Sequence, residues 1–263
     1  MASEAHNLQA NFDHTAFAVR DALACGVNLR RQFGATPILG EALEAFRYLT
    51  MYVGSAEHGT NLEFLDPTEE GFLTQFLDKR GQSPHHITFL VSDVPSAVAA
   101  VCEQGFGVVD EDYEHAAWHE AFIRPDATHR TIIQLAGSDR PYPSARELLA
   151  TTRRDALAMP HIANAKNRDW WTSIWDTQAG ETKHLGPTVL QTTDMPRSHT
   201  LFGTILQGQA HDSQVSNGVV YSWPGGAIEL VPSDRAGIAG IRARDDSAEL
   251  IDIDTIIAGM PNT

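Results

Sequence analysis

The chain has 263 residues, 42% of them hydrophobic and 20% charged, and its 19 basic residues against 34 acidic ones give a formal net charge of −15. Such a chain suits a soluble globular protein of one large or two small domains, and its negative charge disfavours nucleic acid and anionic membranes as partners, although a local basic pocket could still take an anionic substrate. Cys25 and Cys102 form no Cys-x-x-Cys pair and read as buried thiols, no signal peptide or membrane-length apolar run is present, and the cytoplasm is the expected compartment.

Residues 1–11 read as a disordered lead-in. His14-Thr-Ala-Phe-Ala-Val-Arg-Asp21 then alternates as a strand does and feeds a helix over 22–33. A weaker strand is expected around Ile38, a clear one over 46–53, a turn at 57–59 and a returning strand over 61–65, which makes a βαβββ unit. Residues 69–80 have helical spacing, with Phe72, Phe76 and Leu77 on one face and Gly81 as the stop, and form a linker helix. The pattern then repeats: His86-Ile-Thr-Phe-Leu-Val-Ser-Asp93, a helix over 94–104, and strands over 108–113, 118–124 and 131–135.

After residue 138 the pattern breaks. Pro141 and Pro143 introduce a polar helix over 145–157, followed by Trp170, Trp171 and Trp175, which are expected to pack against a neighbouring domain or subunit. A degraded third copy starts at Pro187-Thr-Val-Leu-Gln-Thr-Thr-Asp194, with proline in place of the histidine, and Glu229 echoes Glu63. Residues 237–245 start a fourth copy, with its helix over 247–259. The expected division is therefore a lead-in over 1–11, a metal-binding module pair over 12–137, a helical linker over 138–183 and a degenerate module over 184–263. That last part is expected to hold no metal, and to cover the N-terminal pair or build a dimer interface.

Both N-terminal copies place a histidine on the first strand, then a phenylalanine, a valine and an aspartate at three, five and seven residues further on. At nearly equal distances downstream the last strand carries Glu63 in one copy and Gln134 in the other. A lone strand histidine is usually a packed residue, but two in matching registers, each matched by a carboxyl or carboxamide, make His14, Glu63, His86 and Gln134 plausible ligands of one metal ion. His85 points away from His86 by strand alternation. His115 and His119 have the spacing of a helical metal pair but lie in strand-like surroundings.

This arrangement resembles the vicinal oxygen chelate superfamily. Glu63-Phe-Leu-Asp-Pro-Thr-Glu, then Phe72 to Gly81, then His85-His86-Ile-Thr-Phe-Leu-Val-Ser-Asp93 look particularly like the methylmalonyl-CoA epimerase family, over residues 12–137. The resemblance implies an α+β fold of paired βαβββ modules, a cupped mixed sheet around a metal site, with a degenerate, incomplete C-terminal module pair beside it. It also implies four ligands, His14, Glu63, His86 and Gln134, although the family has its glutamate in the second module and here it is in the first. A pseudo-twofold axis through the metal makes the exchanged set equivalent, seen from the other side.

Two imidazoles and one carboxylate suit Co, Mn, Ni, Zn or Fe as a divalent ion. Such an ion can chelate a carbonyl and a neighbouring oxygen and stabilise the enolate formed when the adjacent C–H is deprotonated. The expected activity is a metal-dependent isomerase, epimerase or lyase on a small carbonyl compound, an acyl-CoA among the candidates. Glu63 is one proton-transfer group, and His119 or Glu120 on the second module's middle strand is the other, with Glu44 competing if the ligand set is not mirrored. The alternatives are an extradiol-type Fe(II) dioxygenase using His14, His86 and Glu63, and a small-molecule sequestering protein of the bleomycin-resistance kind. A homodimer is expected, with neither nucleic acid nor membrane as partner.

Overall fold

A computed structural model describes residues 8–55, 58–141, 143–151, 167, 169–244 and 248–258. Among these, fourteen strands fall into two mixed sheets with helices on them, an α+β fold. The first module runs β1 (Ala10–Ala18), α1 (Ala22–Phe33), β2 (Thr36–Ala42), β3 (Phe46–Gly54) and β4 (Gly59–Pro67), ordered β2-β3-β4-β1 in its sheet. After α2 (Phe72–Arg80) the second repeats it as β5 (Ser83–Val91), α3 (Val94–Glu103), β6 (Val108–Asp112), β7 (His119–Ile123) and β8 (Ile132–Gly137), ordered β5-β8-β7-β6. In each, the first and last strands pair in parallel and the others antiparallel. The weak segment around Ile38 is a full strand, β2.

The repeated motif now has physical reasons. Its aspartate caps the following helix: Asp21 accepts the N–H of Ala24 at 2.9 Å, and Asp93 that of Ser96 at 3.0 Å. In the third copy Asp194 accepts from Arg197 at 2.9 Å. Its phenylalanine and valine, Phe17 with Val19 and Phe89 with Val91, point into the core under the helix. Gly34 ends α1 at φ 64, a left-handed conformation that glycine adopts without steric cost.

Two departures concern chain order. Disorder through residue 11 is corrected from Leu8 onward: residues 1–7 lie outside the described residues, but Leu8 is buried and β1 begins at Ala10, because this segment has a core to enter. Of the expected helix over 145–157, α4 (Ala145–Thr151) is described and the rest lies outside the described residues.

The third copy is a complete module: β9 (Leu185–Thr192), α5 (Met195–His199) continuing as a π-helix over 200–205, β10 (Gln209–Asp212), β11 (Val219–Trp223) and β12 (Gly226–Pro232). The fourth keeps β13 (Gly237–Ala243), β14 (Leu250–Asp252) and α6 (Ile253–Ile257).

The chain forms two compact units built from interleaved segments. One takes residues up to 13, 86–140 and 189–238, and its core joins Phe12, Phe89, Ile133 and Leu135 to Phe202, Tyr221, Trp223 and Leu230. Phe89 meets Trp223 edge-on at 4.8 Å between ring centroids. The other takes 14–85, 141–188 and 239–263, and packs Phe17, Leu49, Leu62 and Phe64 with Trp171, Ile174, Ile241, Ile256 and Ile257.

Trp171 is therefore a core residue. Trp171 is 1% exposed and donates its indole N–H to the Gly40 carbonyl at 2.8 Å. Trp170 and Trp175 are half-buried against the same core, under the guanidinium groups of Arg47 and Arg30. Cys25 is buried as expected, whereas Cys102 is exposed on α3, because residue 102 falls outside the buried set of Val94, Ala97, Val98 and Val101. No described helix is long and apolar enough to cross a membrane.

Candidate metal centre

Register places the candidate ligands in identical positions of the two modules. Glu63 on β4 lies opposite Ala16, two residues past His14, and Gln134 on β8 lies opposite Thr88, two residues past His86. Opposed and alternate residues share a face of a pleated sheet. In the first module His14, Glu63, Thr50 and Tyr48 therefore share one face, and in the second His86, Gln134, Thr88, Phe122 and Glu120 do.

All four candidate ligands are buried. His14 Nε2 and Glu63 Oε1 are 3.3 Å apart, close to the edge of a tetrahedron with metal bonds of about 2.0–2.1 Å. His14 and Glu63 stand in one unit and His86 and Gln134 in the other, each pair a histidine with a carboxyl or carboxamide in the same register.

The partners of these donors differ between the modules. The Thr50 hydroxyl donates to Glu63 Oε2 at 3.2 Å, leaving Oε1 for the side of His14. In the second module the Thr88 hydroxyl donates to Gln134 Oε1 at 2.7 Å, where the first module has only Ala16. The Gln134 amide N–H donates to Glu120 Oε2 at 2.7 Å, and the Trp118 indole N–H donates to the same oxygen at 3.0 Å. A carbonyl oxygen carries two lone pairs, so Gln134 Oε1 retains one beyond the Thr88 bond. Burial raises the Glu120 carboxyl above the ordinary range, opposed by the bonds from Trp118 and Gln134.

The two proton-transfer candidates separate here. Glu120 shares the face of Gln134 and His86. His119 alternates to the opposite face, where its Nε2 lies 3.5 Å from Asp139 and its ring meets Tyr113. Glu44 is an exposed loop residue, and His115 is exposed in the turn before β7. Sequence reasoning missed Thr50, Thr88 and Trp118 as partners, and Glu41, a buried carboxyl whose Oε2 accepts from the Tyr48 hydroxyl at 2.9 Å. The signal was module equivalence: Tyr48 opposite Leu65 corresponds to Glu120 opposite Ala136, each pair lying two residues past Glu63 or Gln134 on the last strand.

Residues 13–122 match the model of the glyoxalase/bleomycin resistance protein/dioxygenase superfamily. The third module lies outside the superfamily match and repeats its βαβββ order with Pro187 where the histidines stand. Solved structures similar to the chain include a Streptomyces coelicolor methylmalonyl-CoA epimerase variant in complex with 2-nitronate-propionyl-CoA, at 25% identity over 51% of this chain and 100% of that one, with a TM-score of 0.44. A methylmalonyl-CoA epimerase from Mycobacterium tuberculosis matches at 24% identity over 50% of this chain and 89% of that one, TM-score 0.44. A hypothetical protein from Bacillus halodurans matches at 20% over 51% and 99%, TM-score 0.45. No curated protein matches the chain.

Proposed function

We propose that this protein is a metal-dependent isomerase or epimerase that moves a proton at the carbon next to a carbonyl of a small oxygen-chelating substrate. The observation that carries this reading is the repeated register of a buried histidine and a buried carboxyl or carboxamide, His14 with Glu63 in one module and His86 with Gln134 in the other. Gln134 is the fourth ligand, through the lone pair that Thr88 leaves. When bound, a divalent ion would supply a Lewis acid for the negative charge that develops on the substrate's oxygen. Glu63 is one proton-transfer group and Glu120, whose carboxyl burial raises above the ordinary range, is the other. Trp118 fixes the carboxyl of Glu120, and Thr50 that of Glu63. The protein is taken to work in the cytoplasm as a homodimer, with an acyl-CoA or another carbonyl compound as substrate.

Metal analysis paired with deuterium incorporation at the substrate's α-carbon in heavy water tests the reading. Exchange that needs both the metal and Glu63 supports it, and metal-loaded protein that exchanges equally well as Glu63→Gln overturns it.

A second reading has its own observation, since two histidines and one carboxylate are also the donor set of non-haem Fe(II) oxygenases. Oxygen consumption on a catechol by the Fe(II)-loaded protein would favour it, and a catechol left untouched would remove it.

A further inference from the structure

Helix α2 carries apolar side chains on two faces. Leu73 and Leu77 are buried in the core, whereas Phe72, Gln75, Phe76 and Lys79, spaced i, i+3, i+4 and i+7, make up an outer face. Phe72 is 51% exposed, the most exposed large apolar side chain among the described residues. Gln75 and Lys79 are exposed too, and Phe76 is half-buried. The two rings are held from behind and beside: Phe72 lies edge-on to Phe46 at 5.6 Å between centroids, and His85 lies 6.2 Å from Phe72 and 4.8 Å from Phe76. The Arg80 guanidinium lies 5.6 Å from the Phe76 ring. A single exposed apolar side chain needs no explanation. This one shares its face with a second ring, and the pair is framed by opposite charges.

Glu69, in the bend that leads into α2, and Lys79, in its last turn, are both exposed. Each stands three residues outside a ring, Glu69 before Phe72 and Lys79 after Phe76. When two copies of this face meet antiparallel, the register that sets Phe72 against the partner's Phe76 therefore also sets Glu69 against the partner's Lys79. A twofold axis makes each contact twice. The chain carries a net charge of −15, so two copies repel over most of their surface, and a face that brings a cation to meet an acid is spared that repulsion. We infer that the outer face of α2 is where a second copy of this chain docks, with the two helices antiparallel. This rests on the homodimer named in the reading above, gives it a surface, and does not depend on the metal chemistry.

Sedimentation velocity of the full chain, from about 1 µM to about 0.5 mM, follows the association, since an interface this small holds a dimer with a Kd on the order of 10–100 µM. Phe72→Ser takes a half-exposed ring from each copy and should weaken the dimer about tenfold or more, with circular dichroism showing that the chain still folds. A second measurement leaves the rings alone. Glu69→Lys and Lys79→Glu each set like charges together twice in their own homodimers, whereas a mixture of the two variants pairs opposite charges twice in the heterodimer. With one variant fluorescently labelled, the heterodimer should form about threefold to tenfold more tightly than either homodimer. A parent chain that stays monomeric at about 0.5 mM overturns this inference and the homodimer together. A dimer that Phe72→Ser leaves unchanged, or charge variants that mix without preference, puts the homodimer on another surface and overturns this one. Exchange at the substrate's α-carbon decides the metal-dependent reading separately in every case.

Discussion

At the residue scale the departure that organises the site is glutamine at position 134. Its amide nitrogen donates to Glu120, so a carboxylate at 134 would set two acids at hydrogen-bond distance and force them to share a proton. Glutamine there is the residue that lets Glu120 remain an independent acid. Gln134→Glu alone should therefore tighten metal binding little at neutral pH, whereas Gln134→Glu with Glu120→Gln should tighten it by at least tenfold, as competition with a chelator would report. Glu63→Gln should cost turnover about 10²–10⁴-fold, the usual loss of a general base, with metal retained; Gln134→Ala should cost much less. The matching registers of the candidate ligands were legible because the two copies repeat the histidine and its partner at nearly equal spacing. The choice between His119 and Glu120 was not, since adjacent strand residues take opposite faces and only the register of β7 against β8 decides which one joins Gln134.

At the scale of elements, the repeated aspartates and aromatic residues made the modules readable, because a helix N-cap and a core-facing strand residue are local requirements of the chain. The tryptophan segment was not readable, because its partners are remote in sequence. Trp171 fills the core beside Gly40, where a Cβ would come within 2.6 Å of the indole, so Trp171→Ala should cost about 3–5 kcal/mol by chemical denaturation and Gly40→Ala should also destabilise. The third module is held differently. The His129 ring lies 2.9 Å from the Ser198 hydroxyl of α5, edge-on to Phe202, with Asp126, Asp194 and Arg197 around it. Burial lowers its pKa to about 4. The unfolded chain takes up that proton near pH 6.5 and the folded one does not, so the stability it contributes is complete above pH 6.5 and is lost as pH falls toward 4, by roughly 2–3 kcal/mol. Thermal melts of His129→Gln between pH 4 and 7.5 should show a shallower dependence than the parent chain.

At the scale of the molecule, residues 184–263 are structural members of both units and not an appendage to the first two modules. Ile241, Ile256 and Ile257 lie in the core beneath α1, and Phe202, Tyr221 and Trp223 lie in the core beneath α3. Deleting 184–263 should accordingly abolish the cooperative thermal transition and give no folded metal-binding fragment, as circular dichroism would report. Sequence reading had assigned these residues to covering or dimerisation, since periodicity locates an element but says nothing of which distant face it closes.

The interleaving also governs how this protein comes into being at the ribosome. His14, Glu63 and His86 are synthesised in the first third of the chain, while the residues that close the core under α1 are made after residue 239. Contacts this distant in sequence form slowly and cannot form until the later partner exists. The three side chains therefore spend most of translation on an unfinished scaffold, and the core beneath α1 closes only once the last segments have docked.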